Sequence, residues 1–277
     1  MKKLLFLLLV TSNIAIAQQH SCCDLSVTQK TVTLAMNQNF ALAHLAPEPF
    51  VLQDQKGEMI TFPTIAGMNG AAYMIRAKQP GKKVLFVFHE WWGLNDYIKQ
   101  EAERFANEMP DVTVYAVDLY DGAIATDVPN AQGLLARLTQ ERGSQIIKGL
   151  LGYVGSDKHL ATTGWCLGGA WSLQCALIAR TQAKACVIYY GMPELNIDRL
   201  KTLNCPVLGI FGLQDKFINV GLVKTFEENM KKAGKKLIVH NYDADHAFAN
   251  PSNPKHNHQF AEDAHAKTMV FIKANLK

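Results

Sequence analysis

From Lys82 onward the chain alternates between two kinds of apolar pattern. Val84-Leu85-Phe86-Val87-Phe88 is an unbroken apolar run, which suits a strand buried on both faces of a parallel sheet. Between Asp96 and Glu108 the apolar positions Ile98, Ala102, Phe105 and Ala106 return at helical spacing, and Pro110 stops the helix. The alternation then repeats. It predicts strands over 112–117, 160–164, 185–190, 207–211 and 236–242, and helices over 130–152, 170–179, 220–232 and 258–274. Gly133, Gly143 and Gly149 weaken the continuity of the 130–152 helix, and Gly234 ends the one over 220–232. Ahead of the first long strand, 60–66 and 71–77 read as a hairpin about Gly67-Met68-Asn69-Gly70. Strands alternating with helices predict an α/β fold, with a mainly parallel central sheet and helices on both faces. Ligands of such a sheet sit at the carboxyl ends of its strands.

The N-terminal residues do not follow this pattern. Lys2-Lys3, the apolar stretch Leu4–Val10 and the small-x-small triplet Ala15-Ile16-Ala17 read as a signal peptide over 1–17, cut after Ala17. Export to a periplasmic or extracellular space is therefore expected. The apolar run is too short for a stable membrane anchor. Gln19-His20-Ser21 before Cys22 is unlike a lipoprotein signal. Residues 18–50 are polar and mixed and read as an N-terminal arm ahead of a domain over 51–277.

Composition bounds the rest. The chain has 277 residues, 48% of them hydrophobic, enough for one sizeable core. The formal net charge of +4 comes without a dense Lys/Arg block, so no nucleic-acid partner is expected. Of the 6 cysteines, Cys22 and Cys23 are adjacent in the arm, and Cys175, Cys186 and Cys205 read as small buried apolar residues. Such a pattern is not a disulfide scaffold.

The strongest chemical signal is Gly164-Trp165-Cys166-Leu167-Gly168-Gly169, between a predicted strand and a predicted helix. Gly-x-Cys-x-Gly has the form of a nucleophile elbow, a tight turn that lifts its central side chain clear of the sheet. Cys166 would sit at a helix N-terminus, where the dipole favours a thiolate, and the Leu167 N–H would form half of an oxyanion hole. A base is needed. His246 follows the last predicted strand, the place of the histidine in the order nucleophile–acid–histidine. Asp215, at the tip of the loop Gly212-Leu213-Gln214-Asp215, would orient that histidine. Asp243 and Asp245 are its rivals, although side chains that near in sequence rarely face each other across a site. Phe88-His89-Glu90-Trp91-Trp92-Gly93 follows the first long strand, and the Trp91 N–H would complete the oxyanion hole. Glu90 near Cys166 would raise the thiol pKa, or else support its loop through a salt bridge.

At these residues the chain resembles the dienelactone hydrolase family. The resemblance runs from about Ile60 to the C-terminus, through His89-Glu90-Trp91-Trp92-Gly93, Gly164-Trp165-Cys166-Leu167-Gly168-Gly169, Gln214-Asp215 and His246-Ala247-Phe248-Ala249-Asn250. It implies a single α/β-hydrolase domain without cofactor or metal, acting on a small-molecule ester or lactone. It implies a Cys166–Asp215–His246 triad that works through a thioester, and a Glu90 that partners the resting thiol until substrate binds. The chain departs from the family at two places. Members acting on dienelactone hold its carboxylate with arginines, one of them four residues after the histidine, where Asn250 stands here. No obvious counterpart of the other follows Asp118-Leu119-Tyr120, with Arg137 and Arg142 as candidates. Trp91, Trp92 and Trp165 suggest an aromatic-lined pocket, so Trp92, Trp165 and Asn250 are the expected substrate contacts.

Other readings are a binding protein on a retired hydrolase scaffold and a thiol redox protein using Cys166. Against the second, Cys175 is about two and a half helical turns from Cys166. A metal site from His256, His258 and His265 is a weaker reading than a solvated helix start.

Overall fold

The computed structural model describes residues 25–65 and 67–277. The signal peptide expected over 1–17 and the pair Cys22–Cys23 lie outside them. The described chain opens with two helices, α1 (Val27–Ala35) and α2 (Gln38–Ala43). There follow β1 (Glu58–Phe62), β2 (Gly70–Ile75), β3 (Lys83–Phe88), α3 (Asp96–Glu108), β4 (Thr113–Asp118), α4 (Val128–Arg137), α5 (Gln140–Val154) and β5 (His159–Gly164). The second half runs α6 (Leu167–Ala179), β6 (Ala183–Tyr189), α7 (Ile197–Lys201), β7 (Val207–Gly212), α8 (Val220–Lys232), β8 (Leu237–Tyr242) and α9 (His258–Asn275).

The strands form one 8-stranded sheet in the order β1-β2-β4-β3-β5-β6-β7-β8. The β1–β2 and β2–β4 pairs are antiparallel and the rest are parallel. This is the α/β-hydrolase arrangement. Its central parallel strands are largely buried because helices cover both faces: Leu85, Phe86, Val87 and Phe88 of β3 are fully buried. The chain leaves β3 toward β4 on one side and reaches β5 on the other, so the loops at the carboxyl ends of β3 and β5 diverge and leave a crevice.

The expected hairpin is present, with strands about two residues earlier than the sequence suggested and Phe62 paired with Gly70. The helix expected over 130–152 is two helices. Its glycines are not the break. Thr139 is, because its Oγ1 caps a new helix by accepting from Arg142 N–H at 2.9 Å. Gly143 is needed inside α5, since a Cβ there would lie 2.1 Å from the Trp171 ring.

Residues 27–43 form more structure than a polar arm suggests. Ser26 and Gln29 make a reciprocal capping box at the start of α1, and Asn37 caps α2. Thr28 Oγ1 donates to Gln140 Oε1 at 2.8 Å and Gln132 Nε2 to Ala35 O at 2.8 Å, which docks the pair on α4 and α5. Among the described residues, no helix is long and apolar enough to cross a membrane.

Candidate active site

The turn from β5 into α6 is a strained elbow. Cys166 has φ 51° and ψ −113°, a left-handed backbone that non-glycine residues rarely adopt. The strain is held by close backbone approach on both sides. A Cβ on Gly164 would lie 2.4 Å from Gly168 O, and one on Gly168 would lie 2.1 Å from Phe88 O. Cys166 N–H donates to Tyr189 O at 2.9 Å, which ties the elbow to β6. Leu167 opens α6, so its N–H has no intrahelical acceptor.

Asp215 and His246 reach the elbow because the loops after β7 and β8 are bonded to each other. Leu213 N–H donates to Tyr242 O at 2.8 Å and Gln214 N–H to Ala244 O at 3.0 Å. The result is a hydrogen-bonded row. His246 Nε2 is 3.2 Å from Cys166 Sγ, and His246 Nδ1 is 2.6 Å from Asp215 Oδ2. Asp215 Oδ1 accepts from the Phe217 and Ile218 N–H groups at 2.8 and 2.9 Å, which fixes the carboxylate. The rivals are engaged elsewhere. Asp243 accepts from Gln214, and Asp245 from the His246 backbone.

Burial opposes charge on His246, but the Asp215 carboxylate and Cys166 outweigh it and hold the imidazole pKa up at about 10. Burial likewise opposes charge on Asp215, yet His246 and the two backbone N–H groups hold its carboxyl below the ordinary range. A thiol, an imidazole and a carboxylate in this order can move one proton from sulfur to nitrogen while the carboxylate holds the resulting charge.

Glu90, in the loop after β3, is fully buried. Its Oε2 accepts from Trp92 N–H at 2.9 Å and its Oε1 lies 3.0 Å from Ser252 Oγ. Burial pushes this carboxyl up to about 8, against the hydrogen bonds it receives. Its partners therefore include the Trp91 and Trp92 N–H groups, Ser252 and Asn250, and those of Cys166 Sγ are His246 and His44. The Glu90 loop is pinned by His89. Leu119 N–H donates to His89 Nε2 at 3.0 Å, so Nδ1 carries the proton and donates to Glu90 O at 2.6 Å.

The remaining expected contacts are all interior. Trp91 and Trp92 are each 1% exposed and meet edge to face at 5.1 Å. Asn250 is buried and accepts from Ser252 N–H at 3.0 Å, so it supports the Glu90 pocket. Trp165 borders a different cavity of about 210 Å³, shared with Arg104, His256 and Glu262. Arg142 is committed to Asp121 at 2.5 Å and to Asn69 O at 2.7 Å. His265 bonds Glu108, and the described His/Cys/Asp/Glu side chains that converge as metal ligands do not include His256, His258 or His265.

The sequence reading missed the cover over the site. Phe40 of α2 is buried against Trp91 (5.7 Å), Phe217 (4.9 Å) and His246 (5.4 Å). His44, at the end of α2, donates from Nδ1 to Phe40 O at 2.7 Å and brings Nε2 to 3.9 Å from Cys166 Sγ. Burial and the neighbouring His246 push the His44 pKa down to about 3. The capping signature Ser26-x-x-Gln29 was readable as a helix start, but nothing in its spacing indicates where that helix docks.

Comparison with known proteins agrees with this fold. A family model described as the dienelactone hydrolase family matches residues 71–276. The chain is 28% identical to a protein designated usf from Aquifex pyrophilus over 233 residues, covering 79% of this chain and 99% of that protein. It is 28% identical to a carboxymethylenebutenolidase from a Pseudomonas strain, covering 75% of this chain and 90% of the relative. Among solved structures, a putative dienelactone hydrolase from Klebsiella pneumoniae superposes with a TM-score of 0.69 at 23% identity, covering 78% and 98% of the two chains. A Pyrococcus furiosus esterase superposes with a TM-score of 0.60 at 13% identity, covering 84% and 98%. The chain belongs to the dienelactone hydrolase family.

Proposed function

We propose that this chain hydrolyses a small-molecule carboxylic ester or lactone, with Cys166 as nucleophile, His246 as base and acid, and Asp215 holding the imidazole. The observation that carries the reading is the unbroken row from Cys166 Sγ through His246 to Asp215, at 3.2 and 2.6 Å. The thiol proton passes to His246 Nε2 and sulfur attacks the acyl carbon. The oxyanion is met by the Leu167 N–H and, once it is aimed inward, the Trp91 N–H. The tetrahedral intermediate collapses to a thioester as His246 returns the proton to the leaving alkoxide. Water then attacks the thioester, giving up a proton to His246. That proton returns to sulfur as the acid leaves.

The Pseudomonas relative is named for a carboxymethylenebutenolide substrate. Asn250 stands at one position considered for a substrate carboxylate and Arg142 is engaged with Asp121, which leaves of the named candidates only Arg137, exposed on α4, so neutral acyl groups are the proposed preference. Substrate reaches Cys166 only when Phe40 and His44 swing aside, because Cys166 is 6% exposed beneath them. That cover is also what favours the second reading, a closed scaffold that binds rather than turns over. Export through residues 1–17 completes the proposal.

The test is steady-state turnover of a neutral aryl ester, a neutral lactone and a carboxylate-bearing lactone by the chain and by Cys166→Ala. Turnover of the neutral substrates that Cys166→Ala loses supports the hydrolytic reading. A folded chain inert toward all of them supports the binding reading.

A further inference from the structure

His44 takes no part in the proposed hydrolysis, yet it is a buried imidazole aimed at the reactive sulfur. We propose that His44 Nε2, Cys166 Sγ and His246 Nε2 form a three-ligand site for a thiophilic divalent cation of the zinc class, which joins the N-terminal segment to the Cys166–His246 pair and silences hydrolysis while bound.

The three donor atoms lie within 4.8 Å of one another. Zinc bonds of about 2.0–2.1 Å to nitrogen and about 2.3 Å to sulfur, at a tetrahedral angle, put N and S about 3.6 Å apart. The observed separations are 3.2 Å to His246 and 3.9 Å to His44, on either side of that value. Small shifts of the two rings would equalise them. Both imidazoles are oriented from behind, as metal-bound histidines are. His44 Nδ1 donates to Phe40 O at 2.7 Å, and His246 Nδ1 faces Asp215 Oδ2 at 2.6 Å. Each Nε2 is thereby turned toward the sulfur.

The donor set selects the ion. One thiolate and two imidazoles suit zinc, whereas magnesium and calcium want oxygen ligands. The charge also balances. The Cys166 thiolate and the Asp215 carboxylate offset a dication in a place where all three ligands are buried. Binding releases the single proton that Cys166 and His246 share, and a water completes the fourth position. The bound ion occupies both the nucleophile and the base, and pins residue 44 across the loops after β5 and β8. The silencing rests on the hydrolytic reading, whereas the binding does not.

The experiment uses the full chain with Cys22→Ser and Cys23→Ser, so that no thiol of the arm contributes. Cobalt(II) is titrated and the thiolate-to-cobalt absorption in the near ultraviolet is followed, after which zinc displaces the cobalt. The expected result is a band that saturates at one ion per chain and is absent in Cys166→Ser. His44→Ala and His44→Asn should weaken zinc binding by at least the roughly 10–100-fold that loss of even an outer partner costs. Asparagine keeps a donor for Phe40 O but offers no second nitrogen, so it separates loss of a ligand from loss of the helix end. Zinc should also slow ester turnover with the midpoint of the optical titration, each variant being compared with its own metal-free rate. No thiolate band, or unchanged affinity in both His44 variants, overturns the site. Binding as described without slowed turnover overturns the silencing and counts against Cys166 as nucleophile, while leaving the ligand set standing.

Discussion

Replacing Asp215 by asparagine exchanges one oxygen for an amide nitrogen and changes little else. The amide oxygen can still accept from the Phe217 and Ile218 N–H groups, now 2.8 and 2.9 Å from Oδ1. The amide N–H₂ then faces His246 Nδ1, which lies 2.6 Å from Oδ2 in the native site. Nδ1 must accept, so the neutral imidazole carries its proton on Nε2 and presents N–H, not a lone pair, to the sulfur. The charge term is comparably large. Two unit charges about 4 Å apart at an effective dielectric near 20 attract by about 4 kcal/mol. A His246 pKa raised from 6.5 to about 10 by Asp215 and Cys166 together corresponds to about 5 kcal/mol in favour of the imidazolium, which bounds the Asp215 share from above. Losing 4–5 kcal/mol slows the acylation step by about 10³–10⁴-fold, the order of magnitude expected for a wrong tautomer in such a row. The assay is steady-state hydrolysis of an aryl ester near pH 7, with kcat and KM resolved and a thermal melt as fold control. The fall should lie in kcat. A folded Asp215→Asn chain within tenfold of the native kcat would refute the reasoning.

Three other outcomes are expected. Phe40→Ala removes the ring that seats α2 on Trp91, Phe217 and His246, so kcat/KM for a bulky aryl ester should rise by up to about tenfold because the cover opens more easily; an unchanged or lower value counts against the cover. Glu90→Gln should flatten the pH dependence of stability. The Glu90 pKa is raised from 4.5 to about 8, so its contribution is full below 4.5 and is lost as pH rises through about 8, a difference on the order of a few kcal/mol. Tm differences between native and variant at pH 5 and pH 6.5 read this below the window of His246, and a constant difference would contradict it. Gly168→Ala places a Cβ against Phe88 O, where backbone must move, so Tm should drop by several degrees, on the order of 1–3 kcal/mol of overpacking, with loss of turnover; a variant as stable and active as native would show the elbow to be looser than described.

The site was legible where its chemistry is local. Gly164-x-Cys166-x-Gly168 encodes a turn whose glycines are required by backbone contact, so Cys166 could be singled out from five residues. Asp215 and His246 could be placed because each follows its own strand and the parallel sheet brings those strand ends together. The break between α4 and α5 was missed because Thr139 acts as a cap only in the conformation it adopts, and the short α7 is set by Asn196 capping rather than by apolar spacing. The Ser252 hydroxyl that meets Glu90 is 162 residues away, and no spacing rule reports such a pair. Phe40 and His44 were the largest omission. Their helix, Gln38–Ala43, is too short for an apolar period to be read, and its contacts with Trp91, Phe217 and His246 exist only once the sheet is assembled.

The central claim is that Cys166 forms a covalent acyl-enzyme. Its most direct test is the intact mass of the chain mixed with an activated neutral ester and quenched in acid within one turnover. The account predicts a mass increase of one acyl group, located on the Cys166 peptide, that decays as product appears and is absent in Cys166→Ala. Hydrolysis at the native rate with no adduct, or in the Cys166→Ala chain, would contradict it.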